Sequence, residues 1–185
     1  MPTAPPTSLD LDVLRAIAAH RTGWGDALVR GVMWVGTTPL ALVVVVLLLA
    51  VLTVAKSAYR TAMTSALALA LATGAAVWLK GAFARPRPPQ DLTMVHPGGW
   101  AFPSTHAAAT AALAVAVLTG SRWASARQAR SVAVVLALAL GIVGVCMVYL
   151  GAHWVTDVLA GWVVGGAIGA ALGWTSRRAL PTRRR

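Results

Sequence analysis

Three short stretches carry residues whose types and spacing can do chemistry. KGAFARPRPP holds Lys80, Arg85 and Arg87; FPSTH holds Ser104, Thr105 and His106; GAHWVTD holds His153 and Asp157. Ammonium and guanidinium groups suit an anionic ligand, phosphate above all, because the planar guanidinium fork pairs with two oxygens at once. His153 and Asp157 are one helical turn apart and share a helix face. A carboxylate on one ring nitrogen fixes the tautomer and leaves the other nitrogen free as nucleophile or base. Ser104 follows a proline and has the character of a helix N-cap, and a capped helix N-terminus with free amides itself favours anions. Each piece also has a purely structural reading: cations snorkelling at a helix end, a cap, histidines satisfied at an interface. A histidine–carboxylate metal site built from His106, His153 and Asp157 competes with the phosphate reading. The cations beside it would repel a divalent ion and no HExxH pattern occurs, so no metal and no cofactor are expected.

The elements that must position these residues are membrane helices. Of 185 residues, 58% are hydrophobic and 11% charged, more apolar surface than a soluble domain of this length can bury. Five runs approach the roughly 20 residues a helix needs to cross about 30 Å of hydrocarbon: 32–55, 62–79, 101–120, 132–150 and 158–174. The last is rich in small residues (Gly161, Gly165, Gly166, Gly169, Gly173) that permit close helix packing. Before the first run, 9–30 places Leu11, Leu14, Ile17 and Leu28 among polar residues, the pattern of an amphipathic interfacial helix, and 1–8 is a Pro- and Thr-rich tail. The fold expected is all-α: a polytopic bundle of five spans plus that interfacial helix. Its parts are a flexible tail (1–8), the interfacial helix (9–30), the transmembrane domain (31–174) and a basic tail (175–185).

Charge orients this bundle. The formal charge of +11 comes from 16 basic against 5 acidic residues. In a soluble chain it would point to nucleic acid, but no stacking aromatics interleave with the cations, and basic loops set membrane topology. With five spans, Lys56, Arg60, Arg122, Arg127, Arg130, Arg177, Arg178 and the three arginines 183–185 fall on one side, which becomes cytoplasmic. All five aspartates (Asp10, Asp12, Asp26, Asp91, Asp157) fall on the other side. So do Lys80, Ser104, His106, His153 and Asp157, delivered by three separate segments to one membrane face. The lone cysteine, Cys146, lies in an apolar run and allows no disulfide framework.

The three stretches, in this order, resemble the signatures of the type 2 phosphatidic acid phosphatase (PAP2) superfamily. Lys80, six residues and Arg87-Pro88 resemble the first; Pro103-Ser104-Thr105-His106 resembles the second, Pro-Ser-Gly-His, with threonine for glycine; His153 and Asp157 close the third. The resemblance spans about residues 30–174 and implies a phosphatase that needs no metal. His153 would attack phosphorus and form a phosphohistidine, Asp157 would orient it, and His106 would protonate the leaving oxygen and then activate water. Lys80, Arg87, Ser104 and the amides near Thr105 would hold the phosphoryl oxygens. One departure matters. The third signature begins Ser-Arg, and here those positions hold Cys146 and Met147. Arg85 is a spare cation expected to compensate.

The sequence therefore predicts a membrane lipid phosphatase, hydrolysing a phosphomonoester or pyrophosphate on an isoprenoid or glycerolipid phosphate. The bilayer and that lipid are its partners, nucleic acid is not, and its site lies on the extracytoplasmic face of the cell membrane. A lipid phosphotransferase and a catalytically impaired lipid-binding relative are the alternatives, the latter favoured by Met147.

Overall fold

The structure, a computed structural model, describes residues 5–37 and 59–178. Among these are six α-helices and one 3-10 turn: α1 (Ser8–Ala19), α2 (Gly23–Thr37), α3 (Tyr59–Phe83), the turn Gln90–Leu92, α4 (Thr105–Gly120), α5 (Ala126–Tyr149) and α6 (Val155–Arg178). The described residues contain no strand. Helices α3, α5 and α6 are each long and apolar enough to cross a membrane, and α4 is a shorter apolar helix. At 1.5 Å per residue its 16 residues rise about 24 Å. The expected third span begins at 101, but 101–104 form a non-helical approach that includes a cis peptide bond between Phe102 and Pro103. Most of the expected first span, 32–55, lies outside the described residues.

The single interfacial helix expected over 9–30 is two helices. The break at His20–Thr22 has a tertiary and a local cause. The Arg21 side chain turns away to the carbonyls of Tyr149 and Leu92, and Thr22 Oγ1 accepts the N–H of Gly25 at 3.3 Å to start α2. Gly23 and Gly25, just after it, weaken any continuous helix through this point. α5 starts at Ala126, six residues before the apolar run at 132, because Ser125 caps it by accepting the N–H of Gln128 at 3.1 Å.

The core of the bundle is made of small residues spaced four apart. Ala68, Ala72 and Ala76 of α3 meet Ala108, Ala112 and Ala116 of α4, all fully buried, with Ile168 and Leu172 of α6 packed against them. Residues four apart lie on one helix face, so these rows form flat strips that approach closely. On α6 the matching row is Gly161, Gly165, Gly169 and Gly173, each against the α4 backbone or its immediate side chains. Lipid tails are as apolar as leucine, so contact distance rather than hydrophobicity drives this packing. Large apolar side chains face outward instead: Leu71, Trp78, Leu138 and Val163 are all exposed. The inverted pattern, small inside and large outside, is that of a helix bundle with lipid as its solvent.

This packing generates a paired prediction. A Cβ at Gly165 would run into the Ala108 carbonyl, whereas one at Gly166 meets nothing within 4 Å. Gly165→Val is expected to prevent assembly of the folded bundle, and Gly166→Val to leave it intact. Thermal unfolding and size-exclusion profiles of the two detergent-purified variants check this.

Candidate active site

The ends of α3, α4 and α6 bring the chemistry-bearing residues to one end of the bundle. α3 stops at Phe83, and Ala84 takes a left-handed conformation (φ 44°) while its N–H closes on the Lys80 carbonyl at 2.9 Å. That is a helix C-terminal turn made without glycine. It throws the chain into the extended Arg85–Pro89 stretch, which the prolines keep from becoming helical. α4 begins under the Ser104 cap, whose Oγ accepts the Ala107 N–H at 3.4 Å. α5 ends in a tight turn at Gly151 (φ 70°), where any Cβ would strike the Leu92 carbonyl. His153 follows in this turn, and Asp157 lies in the first turn of α6.

Asp157 is the hub. Its carboxylate is fully buried and accepts the Trp154 N–H at 2.9 Å, the acidic half of a capping box. The same oxygen lies 3.4 Å from His153 Nδ1, and the other oxygen takes Arg85 Nη1 at 2.7 Å. The ring is thereby oriented with Nδ1 toward the carboxylate and Nε2 outward, 3.5 Å from Arg87 Nη1. Burial holds the His153 pKa below its ordinary value; the positive charges of Arg87 and Lys80 push the same way, and Asp157 opposes them. Arg87 is itself lowered by burial, against the pull of Asp157.

The outer cations are held by backbone carbonyls. Lys80 Nζ donates to Trp100 O at 2.7 Å and Ala101 O at 3.1 Å. Arg87 Nε donates to Gly99 O at 3.0 Å, and its Nη1 also donates to Ala152 O. The loop preceding α4 thus wraps both side chains and ties them to the histidine turn. The field of Lys80 and Arg87 reaches His106 as well as His153. His106 sits exposed in the first turn of α4, next to Thr105. Among the described residues, no three His, Cys, Asp or Glu side chains gather closely enough to hold a metal ion.

Two of the expected phosphate ligands are placed otherwise. Arg85 is buried, 3% exposed, and its outer nitrogens are fully engaged: Nη1 by Asp157 and Thr156 Oγ1, Nη2 by Asp10 and the Pro5 carbonyl. No outer N–H remains for a phosphate oxygen, so Arg85 is not poised to replace the missing third-signature cation. Ser104 is also fully buried, and its hydroxyl donates to the Met147 sulfur at 3.3 Å. Met147, 1% exposed, fills the place where the family pattern has an arginine.

Sequence reasoning missed Asp10, Thr156 and Trp154. Thr156 donates from both N–H and Oγ1 to Asp10, and Trp154 Nε1 donates to the Pro86 carbonyl at 2.9 Å, locking α6 to the Arg85–Arg87 stretch. A signal for Asp10 was present in Thr7-x-x-Asp10, a capping-box spacing. What it caps toward was not visible.

A membrane helix bundle with a histidine–aspartate pair under two cations is the class of protein this fold and site define. The chain belongs to the PAP2 superfamily, whose family model matches residues 61–180. In fold it is similar to the first transmembrane PAP2-type phosphatidylglycerolphosphate phosphatase from Bacillus subtilis (TM-score 0.82, 21% identity, 96% of this chain and 88% of that one). It is also similar to LpxE from Aquifex aeolicus (TM-score 0.73, 24% identity, 90% of this chain and 95% of that one). No curated protein matches the sequence.

Removing Arg85 would leave two buried carboxylates without their shared counter-charge. Arg85→Met is expected to cost about 3–5 kcal/mol of stability. Arg85→Lys is expected to recover only part, since one ammonium cannot grip both carboxylates and Thr156. Arg87→Met should cost less stability, because its bonds are to the rim carbonyls. Chemical denaturation of the three variants in one detergent gives the ranking.

Proposed function

We propose that the chain is a membrane lipid phosphatase that hydrolyses a phosphomonoester or pyrophosphate on a lipid through a phosphohistidine on His153. The observation that carries this reading is the orientation of His153: Nδ1 faces the buried Asp157, and Nε2 points out beside Arg87. In the first half-reaction Nε2 attacks phosphorus. The phosphorus–oxygen bond to the lipid breaks, and the leaving oxygen takes a proton from His106. In the second half-reaction His106 takes a proton from water, the water oxygen attacks phosphorus, and the nitrogen–phosphorus bond breaks to release phosphate and restore the imidazole. Lys80, Arg87 and the free amides at the start of α4 near Thr105 hold the phosphoryl oxygens, and Asp157 stabilises the charge that develops on the ring. The two cations supply the charge neutralisation that a metal supplies elsewhere, so the reaction is metal-independent.

The substrate class follows from location. The site lies at an end of an apolar bundle, where a headgroup phosphate arrives by lateral diffusion with its tail still in the bilayer. Isoprenoid and glycerolipid phosphates both fit. The distribution of basic residues supports an extracytoplasmic position for this end. The buried Met147 beneath Ser104 favours a second reading, an impaired lipid-binding relative with one phosphate donor too few. A phosphotransferase would differ only in the acceptor.

The test is phosphate release from a panel of lipid phosphates by detergent-purified protein with a chelator present. Turnover is expected for wild type and its loss in His153→Ala and His106→Ala. Inactivity of a folded wild type on every lipid supports the impaired relative, loss on chelation supports a metal, and a phosphorylated acceptor in place of free phosphate supports the transferase. The pH profile adds a sign. His153 must be neutral to attack, and its pKa is lowered, so it stays neutral below its ordinary value. The acid limb of kcat/KM is expected below about pH 6.5; a limb above that value contradicts His153 as the nucleophile in this environment.

A further inference from the structure

The N-terminal helix brings a charged residue into the interior of the site. Asp10 is fully buried, and both oxygens of its carboxylate are hydrogen-bonded. One oxygen, Oδ2, accepts Thr7 N–H at 3.0 Å and Thr7 Oγ1 at 2.9 Å, closing the capping box of α1. The same oxygen receives Arg85 Nη2 at 2.6 Å and Thr156 Oγ1 at 2.8 Å, and Oδ1 accepts Thr156 N–H at 3.0 Å. Asp10 and Asp157 are thus the capping carboxylates of two different helices, α1 and α6, that face each other across one guanidinium. Burial alone would raise the Asp10 pKa, but the hydrogen bonds from Thr156 and Thr7 outweigh it and hold it at about 2. The carboxylate is charged throughout the working range.

The charge count gives this arrangement a function. Asp10, Arg85 and Asp157 together carry one net negative charge behind His153. Were Asp10 absent, Arg85 would neutralise Asp157 alone, and the ring would lose the counter-charge for the positive state it enters when Nε2 bonds to phosphorus. The other charged groups bearing on His153 are Arg87 from the extended stretch and Lys80 from α3, both positive. From α4 comes the titratable His106, which shares their field. Against that positive rim, the excess negative charge behind the ring comes from α1.

We propose that Asp10 is a positioning residue of the active site: through Arg85 and Thr156 it fixes the geometry of Asp157 and leaves that carboxylate its charge, so that His153 is held with Nε2 toward the substrate. α1 is accordingly part of the catalytic apparatus and more than an interfacial anchor. The proposal rests on the reading of His153 as nucleophile.

The chain has four histidines, so 15N-histidine labelling resolves the His153 ring directly, its signal assigned by its loss in His153→Gln. Wild type is expected to show the Nδ1–H tautomer. Asp10→Asn is expected to lower the apparent pKa of His153 and to reduce kcat about tenfold, with KM changed by less than about twofold. Leu14→Ala removes a buried apolar contact of α1 with Ala101 and Trp154; it is expected to lower Tm and leave the His153 titration unchanged. An unshifted titration in Asp10→Asn, or an equal shift in Leu14→Ala, overturns the proposal. If Asp10→Asn does not fold, Thr156→Val removes the hydroxyl between Arg85 and Asp10 while keeping both charges. A smaller downward shift then supports the proposal and no shift overturns it. A His153→Ala protein that still turns over would instead defeat the nucleophile reading, and the titration would still decide whether Asp10 acts on His153.

Discussion

One guanidinium holds the site end of this bundle together. Arg85 lies between Asp10 and Asp157, and through them it joins α1 to α6. Buried charges of this kind are costly to desolvate and persist where each one is paired and hydrogen-bonded. Here all four outer N–H groups of Arg85 have acceptors, while Nε is buried without one. The aromatic faces of Phe102 and Trp154 close over the group at 5.8 and 5.9 Å. The histidine inherits its orientation from this arrangement, because Asp157 is fixed from behind by Arg85 and from its own helix by Trp154.

The remaining geometry follows from close approach. Alanine and glycine rows pack α3, α4 and α6 closely, with the α6 glycines against the α4 backbone. Ser104 N–H donates to the Asp157 carbonyl at 2.9 Å, and the starts of α4 and α6 are therefore joined directly. Two turns aim the side chains: Ala84 redirects the chain out of α3, and Gly151 lets α5 fold back beneath Leu92. A rigid small-residue scaffold below and short constrained turns above are what a positioned reaction requires, since phosphoryl transfer depends chiefly on placement and charge.

Much of this was legible in the chain. Apolar runs marked the positions of α3 to α6, and charge distribution grouped the three motifs at one face. The His153–Asp157 spacing predicted that the two side chains meet, and they do at 3.4 Å, but His153 stands in the turn before α6 and not on its helical face. Other features were not legible, for physical reasons. The role of Arg85 depends on Asp10, 75 residues away in sequence, and pairing at that distance leaves no local pattern. α1 and α2 read as one segment because the break between them is made in part by tertiary bonds from Arg21, which leave no local pattern. Ser104 looked free to meet a ligand, but its hydroxyl is turned inward onto Met147, a partner 43 residues on.

The proposed chemistry predicts a covalent intermediate, and trapping it is the most direct measurement. Protein mixed with radiolabelled lipid phosphate and quenched within a single turnover should carry label that is stable to alkali, labile to acid, and located by mass spectrometry on His153. Label on any other residue, or none during a turnover that releases phosphate, would contradict the account.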